Sequence, residues 1–129
     1  MIIGFKPQFE PKIKAKTKIH TIREDKTNRW KAGMAMHMAT GVRTKNYRCF
    51  ALDKCISTQQ IKIVWQQRPC KRAAIYIDNM CVGTYTNGYA SGLCHLIAKN
   101  DGFDCAGDFF RWFNEDFEGK IIHWTDKRY

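Results

Sequence analysis

The chain has 129 residues, of which 44% are hydrophobic and 26% are charged, and its formal net charge is +10. This length favours one domain with a core of ordinary size, and no stretch approaches the roughly 20 apolar residues of a membrane-spanning helix. The composition therefore excludes a membrane-spanning helix and fits a partner rich in phosphates.

Strands are predicted over most of the first two thirds of the chain. Met1–Phe5 is expected to form a short strand, and the four-residue spacing of Phe9 and Ile13 predicts a helical segment that Pro7 and Pro11 keep short. Further strands are expected over Lys18–Arg23, Met34–Thr40, Tyr47–Phe50, Cys55–Trp65, Arg72–Ile77 and Cys81–Tyr85. The polar run Asp78-Asn79-Met80 fits a hairpin turn between the last two of these.

Helices are predicted in the last third of the chain. Ser91 is expected to cap a helix that ends at Asn100, and Asp104 is expected to cap a second one. Phe109, Trp112, Phe113 and Phe117 would form the apolar stripe of that second helix. A closing strand is expected over Ile121–Thr125. This order predicts an α+β fold, a small barrel with two or three short helices over one mouth.

The segment Lys18-Ile19-His20-Thr21-Ile22-Arg23 carries the clearest chemical signal. On a strand, Thr21 and Arg23 point to the same side, whereas His20 points to the other side. Lys18 directly precedes the strand, where a turn can bring its amine toward Thr21. An amine can activate a hydroxyl, and a guanidinium can hold an anion.

This segment resembles the signature of the ASCH family, which reads Gly-x-Lys-x-x-Thr/Glu-x-Arg. Lys18, Thr21 and Arg23 match the pattern, whereas the glycine position holds Lys16. The resemblance implies a PUA-like β-barrel that spans residues 1–129 as a single domain.

A second similarity to the ASCH family lies near residue 100. The family often has an acidic residue before Gly-Phe, and then a helix rich in acidic and aromatic residues. The run Asn100-Asp101-Gly102-Phe103 and the aromatic segment after it are similar to that arrangement. The stretch 66–90 matches no family feature.

The resemblance also implies a catalytic trio of Lys18, Thr21 and Asp101. Family members that hydrolyse N4-acetylcytidine use a lysine, a threonine and a glutamate, and Asp101 aligns with the glutamate. In such a site the threonine is the nucleophile and the lysine is its base. Asp is one methylene shorter than Glu, and the alternative is an ordinary Lys18–Asp101 ion pair beside a strand threonine.

Basic and aromatic residues are candidates for ligand contacts. Residues 1–31 carry nine Lys or Arg and three acidic residues, and residues 99–119 carry two basic and six acidic ones. Because a guanidinium or an amine can hold a phosphate, the candidate phosphate contacts are Arg23, Lys31, Arg43 and Lys45. Candidates for stacking on a base are Trp30, Tyr47, Tyr85 and Trp124. The alternatives are solvated surface charges and core aromatic rings.

Three functions fit these observations. The first is binding of RNA or of a nucleoside or nucleotide, free or modified, in a basic cleft around Lys18, Thr21 and Arg23. The second is the amidohydrolase activity described above. The third is a phage or mobile-element protein that sequesters or degrades a signalling nucleotide.

The remaining expectations concern location and cofactors. The run Met1–Lys6 is too short to be a signal peptide, so a cytoplasmic protein is expected. In that compartment the six cysteines are expected to be free thiols. Their spacing fits no metal site, so we expect neither a metal nor a cofactor. The sequence gives no indication of the oligomeric state.

Overall fold

Nine strands in two sheets and three short α-helices make up the protein, and the computed structural model describes all residues from 1 to 129. The helices are α1 (Glu10–Lys14), α2 (Cys94–Asn100) and α3 (Ala106–Trp112), and a 3₁₀ turn (Pro7–Phe9) precedes α1. The strands are β1 (Ile2–Gly4), β2 (His20–Arg23), β3 (Ala35–Thr40), β4 (Arg48–Lys54), β5 (Ser57–Gln66), β6 (Arg72–Ile77), β7 (Met80–Thr86), β8 (Tyr89–Ala90) and β9 (Phe117–His123).

The larger sheet has six antiparallel strands in the order β2-β9-β5-β6-β7-β8, and it curls into half a barrel. The smaller sheet has the order β1-β3-β4, in which β1 and β3 are parallel. The chain passes from one sheet to the other directly after β4, where the Ile56 N–H donates to the His123 carbonyl at 2.8 Å. A small α+β protein rich in strands, with short helices, is therefore confirmed.

Alternation of apolar and polar residues explains the strand faces. Along β5, Gln59, Ile61 and Ile63 are buried, whereas Gln60 and Lys62 are exposed. Successive side chains of a strand point to opposite faces, so β5 has one face in the core and one in solvent. The end of β9 differs, because Ile121, Ile122 and His123 are all buried. It lies between β2 and β5 and is covered on both faces.

The predicted hairpin is confirmed between β6 and β7. Asp78 and Asn79 have φ angles of 50° and 68°, which a two-residue turn matched to the strand twist requires. The Asp78 carboxylate accepts hydrogen bonds from the Gln59 side chain at 3.0 Å and from the Gln60 backbone at 3.1 Å. The turn is therefore tied to β5 as well as to its own strands.

The predicted helix caps are wrong. Neither α2 nor α3 has a side-chain cap. The Ser91 hydroxyl bonds instead with Thr84 on β7, at 2.8 Å. The Asp104 carboxylate pairs with Lys12 at 2.7 Å. Tertiary partners thus take both side chains away from the helix ends.

The predicted aromatic stripe of α3 is partly wrong. The buried rings are those of Phe109, Phe110 and Phe113, whereas Trp112 is 45% exposed. Phe117 lies in β9, which begins four residues earlier than expected. The helix packs these rings against the half-barrel, and a core of 25 buried residues fills the space between the elements. None of the helices has the length and apolar composition needed to cross a membrane.

The turn from α1 into β2 has an unusual backbone at Lys16. This residue has a φ of 63°, and the N–H groups of Lys16, Thr17 and Lys18 donate back to carbonyls of α1. A left-handed residue just after a helix is usually glycine, because a Cβ is strained there by roughly 1–2 kcal/mol. The backbone strain at Lys16 therefore lies in the turn that positions Lys18.

We predict that Lys16→Gly stabilises the protein. Removing the Cβ relieves the left-handed strain, and the extra freedom of glycine in the unfolded chain offsets part of the gain, leaving about 0.5–1 kcal/mol. Urea unfolding is the measurement. The control is Lys16→Ala, which removes the same charge but keeps the Cβ and should give no such gain. Equal stability of the two variants would contradict the assignment of strain to this turn.

Candidate functional site

A cleft of about 280 Å³ lies between the N-terminal segment, β2 and α3. Its polar and charged lining comes from Lys6, Lys18, Thr21 and Arg23. The other lining residues are Gly4, Phe5, Phe9, Ile22, Phe103 and Trp112. The cleft thus combines cationic groups and a hydroxyl with aromatic walls.

Lys18 is a buried amine at the inner wall of the cleft. Its side chain is 3% exposed, and its Nζ donates to the Asp101 carbonyl at 2.5 Å and to Asp101 Oδ1 at 3.1 Å. The same Nζ lies 4.8 Å from the centre of the Phe9 ring and 5.7 Å from that of Phe5. Burial lowers the pKa of Lys18, and the Asp101 carboxylate opposes that shift only in part.

Thr21 and Arg23 meet on the same face of β2. The Arg23 Nε donates to Thr21 Oγ1 at 3.3 Å, and its Nη2 donates to the Gly4 carbonyl. The guanidinium carbon lies 5.0 Å from the centre of the Phe5 ring. Burial lowers the pKa of Arg23, but a guanidinium stays charged in proteins. Arg23 is therefore a fixed cation beside the Thr21 hydroxyl.

Asp101 lies behind Lys18, not on the cleft wall. It follows α2 and is 3% exposed, and the next residue, Gly102, has a φ of 95°. A Cβ on Gly102 would come within 2.9 Å of Lys18 Cδ and 3.1 Å of Phe9 Cδ1. Gly102 is thus required both for the turn and for the close passage of the Lys18 side chain.

A buried hydrogen-bond network continues from Asp101 away from the cleft. His20 Nδ1 lies 3.3 Å from Asp101 Oδ1, and His20 Nε2 lies 2.7 Å from the Tyr129 hydroxyl. The Asn100 amide donates to the same hydroxyl at 2.9 Å. Burial raises the pKa of Tyr129 to about 12 and lowers that of His20. A protonated Tyr129 and a neutral His20 that donates from Nδ1 to Asp101 satisfy this network.

On the predicted strand, His20 faces away from Thr21, and it is not among the proposed catalytic residues. That orientation is observed, yet His20 contacts Asp101, which in turn contacts Lys18. The sequence signal for this contact is the two-residue spacing of Lys18 and His20. Residues i and i+2 of an extended segment share a side, so both side chains can reach the same carboxylate. The aromatic cleft residues Phe5, Phe9 and Trp112 were also not proposed as ligand contacts.

The other basic candidates lie outside the cleft. Lys31 is exposed in the β2–β3 connection, and Arg43 and Lys45 are exposed in the β3–β4 loop. The aromatic candidates Trp30, Tyr47, Tyr85 and Trp124 also do not line it. The six cysteines form no disulfide, and no three His, Cys, Asp or Glu side chains are grouped to hold a metal ion.

His123 lies next to this network as a core histidine. It is fully buried, its ring centre is 5.4 Å from that of His20, and its Nε2 bonds with Gln59 Oε1 at 3.0 Å. Its Nδ1 has no hydrogen-bond partner. Burial, together with the nearby His20 and Arg128, lowers the pKa of His123 to about 4.

Comparison with known proteins assigns no family or function to this chain. No protein-family model, curated protein or solved structure matches the chain. The functional interpretation therefore rests on the cleft and on the residues that line it.

We predict that the free energy of unfolding falls as the pH drops from 6.5 to about 4. Over this range the unfolded chain binds a proton at His123 that the folded protein does not, which removes about 3 kcal/mol. The lowered pKa of His20 acts in the same direction. Urea unfolding at several pH values measures this loss.

The matched variants for this prediction are His123→Gln and His95→Gln. His95 is exposed on α2, so its replacement should leave the pH dependence unchanged, whereas His123→Gln should make it shallower. Parallel pH profiles for the wild type and His123→Gln would contradict the prediction.

Proposed function

We propose that the cleft binds a nucleobase with its sugar or phosphate, either within RNA or as a nucleoside or nucleotide. The observation that carries the proposal is the meeting of Lys18, Thr21 and Arg23 at one cleft with aromatic walls. Stacking on aromatic rings and hydrogen bonds to the base edge are the usual means of recognising an unpaired base. The volume of about 280 Å³ suits one base rather than a large ligand.

Arg23 has the donors that an anion or a base edge needs. A guanidinium has five N–H groups, and the hydrogen bonds to Thr21 and Gly4 use two of them. The three that remain can donate to a phosphate or a carbonyl oxygen. Lys6 adds a second cation, which is exposed, with its Nζ 5.5 Å from the Trp112 ring centre. Both cations favour a negatively charged ligand.

We further propose that the protein is a PUA-like domain of the ASCH type. Three features support this proposal. The motif residues Lys18, Thr21 and Arg23 share the cleft, and Asp101 contacts the motif lysine. Lys16, at the glycine position of the motif, has the left-handed backbone that a glycine would permit, with a φ of 63°.

We predict that Arg23→Ala weakens nucleotide binding by about tenfold or more. This change removes a charge-assisted hydrogen bond, which contributes roughly 1.5–3 kcal/mol. Arg23→Lys should recover only part of the loss, because an amine lacks the planar fork. Calorimetric titration with a panel of nucleosides and mononucleotides measures the affinity.

Lys31→Ala is the charge control for this measurement, because Lys31 is exposed outside the cleft. An equal loss in Arg23→Ala and Lys31→Ala would mean that only net charge matters. For RNA, binding should also fall steeply with salt through counterion release, whereas a small nucleotide held in the cleft should respond weakly. A sequestered signalling nucleotide would show that weak response without turnover.

Amide hydrolysis on an N4-acylated cytidine is a second proposal, supported by the surroundings of Lys18. A neutral lysine amine has two N–H groups, and both have acceptors on Asp101. No hydrogen bond joins Lys18 to Thr21 in the structure, so its free lone pair would take the Thr21 proton once substrate binding brings the two groups into hydrogen-bond range. The lowered pKa favours this neutral form. Thr21 Oγ would attack the acyl carbon, the C–N bond would break with protonation of the amine, and water would hydrolyse the acyl-threonine ester.

We predict that such turnover of N4-acetylcytidine is lost in Thr21→Ala and Lys18→Met but retained in part in Thr21→Ser. The rate should rise with pH through a pKa below 10.5, the ordinary value for lysine, because the neutral amine is the base. Chromatography of released cytidine measures the rate, and calorimetry checks that the variants still bind the substrate. No release by the wild-type protein would end this second proposal and leave the binding proposal intact.

A further inference from the structure

A second groove, of about 340 Å³, lies beside α3. Its lining comes from β5, the β5–β6 connection, the β7–β8 hairpin and α3. The residues that give it chemical character are Trp65, Lys71, Tyr85, Phe110 and Arg111. Like the cleft, this groove combines aromatic rings with cations.

The rings of the second groove form an aromatic cluster in which Phe110 is buried and Trp65 and Tyr85 are partly exposed. Tyr85 and Phe110 are stacked, with ring centres 4.6 Å apart and planes inclined by 15°. Trp65 meets Phe110 edge to face at 5.9 Å, and the Trp65 Nε1 donates to the Phe113 carbonyl at 2.9 Å. The Lys71 Nζ lies 5.1 Å from the Trp65 ring centre. A planar ring that enters the groove meets the Trp65 and Tyr85 rings next to two exposed cations, Lys71 and Arg111.

The second groove and the cleft lie on adjoining parts of the surface around α3. Between them lies a depression of about 290 Å³, which shares Arg111 with the second groove and Phe103 and Trp112 with the cleft. Arg111 and Trp112 are consecutive, so at 3.6 residues per turn they point about 100° apart around the helix axis. The three depressions therefore follow one another around one helix.

The acidic residues of the connecting depression are neutralised. Asp104 pairs with Lys12 at 2.7 Å, and Asp108 pairs with Arg111. Lys12 and Arg111 themselves line this depression. An anionic chain that runs through it meets paired carboxylates and no net negative charge.

We infer that the second groove is a second base-binding subsite, and that the ligand is a single-stranded oligonucleotide that runs around α3 from the cleft to this groove. The inference rests on the proposed function of the cleft. One base occupies the cleft, and a later base stacks against the rings of the second groove. Lys71 holds a phosphate beside that base, and Arg111, which pairs with Asp108, can donate its remaining N–H groups to it. Sequence-tolerant binding of single strands uses this combination of basic groove and aromatic surfaces.

The test measures the affinity for oligouridylates of one, two, four, six and eight nucleotides at fixed salt. Fluorescence anisotropy or calorimetry gives these affinities. For the wild type, affinity should increase with length until both grooves are filled and then level off. Trp65→Leu and Lys71→Ala should each reduce hexamer affinity, by about tenfold for the tryptophan. Neither variant should change the affinity for the mononucleotide.

Two controls make the result specific. Lys62→Ala removes an exposed charge from β5 outside both grooves, so it should change hexamer affinity less than Lys71→Ala does. Lys71 is also exposed, so Lys71→Ala keeps the test valid if Trp65→Leu proves unstable.

The two proposals fail in different ways. If Arg23→Ala weakens mononucleotide binding but wild-type affinity is independent of length, the second subsite is overturned and the cleft stands. Equal effects of Lys71→Ala and Lys62→Ala on the hexamer overturn it as well. If Arg23→Ala changes neither mononucleotide nor hexamer binding, the cleft function itself is overturned, and the shared path around α3 with it.

Discussion

The buried contact between Lys18 and Asp101 is the interaction on which the site depends. Both side chains are almost fully removed from water, at 3% and 5% exposed. An isolated charge at such a depth is strongly unfavourable, and loss of one partner of a buried pair typically costs about 3–5 kcal/mol. The pair joins the segment before β2 to the residue after α2, and so it fixes the inner wall of the cleft.

Strand β2 separates two environments with different chemistry. Thr21 and Arg23 face the cleft, whereas His20 points into a buried network with Asp101 and Tyr129. The network is polar but enclosed, so burial lowers the pKa of His20 and raises that of Tyr129. Asp101 connects the two environments, since its carboxylate contacts both Lys18 and His20. The two sides of β2 therefore meet at a single carboxylate.

Local patterns were sufficient to predict most of the strands and the position of the motif, but not β8 or the first part of β9. Alternation predicted β5, and Asp78-Asn79 predicted its neighbouring hairpin, because both depend on residues close in sequence. Strand geometry alone predicted that Thr21 and Arg23 point to the same side of β2. The helix caps failed because Ser91 and Asp104 have partners in distant parts of the chain.

The aromatic walls of the cleft were beyond sequence reasoning for a similar reason. Phe5, Phe9 and Trp112 each read as core residues in their own segments, and only the fold brings them to one cleft. The second groove shows the same limit, since Trp65 and Phe110 are 45 positions apart in the sequence. Local spacing predicts which face of an element a side chain occupies, but not what lies opposite that face.

The separation of Lys18 and Asp101 by 83 residues has a consequence for how the protein acquires its cleft. Closing a flexible loop of that length is entropically unfavourable by about 4 kcal/mol, and contacts between distant residues slow folding. The cleft walls come from both ends of the sequence, so partly folded chains lack the site even when their central hairpins have formed. Ligand binding thus requires both ends of the chain to be in place, and a ligand that binds only the native state stabilises the contacts between them.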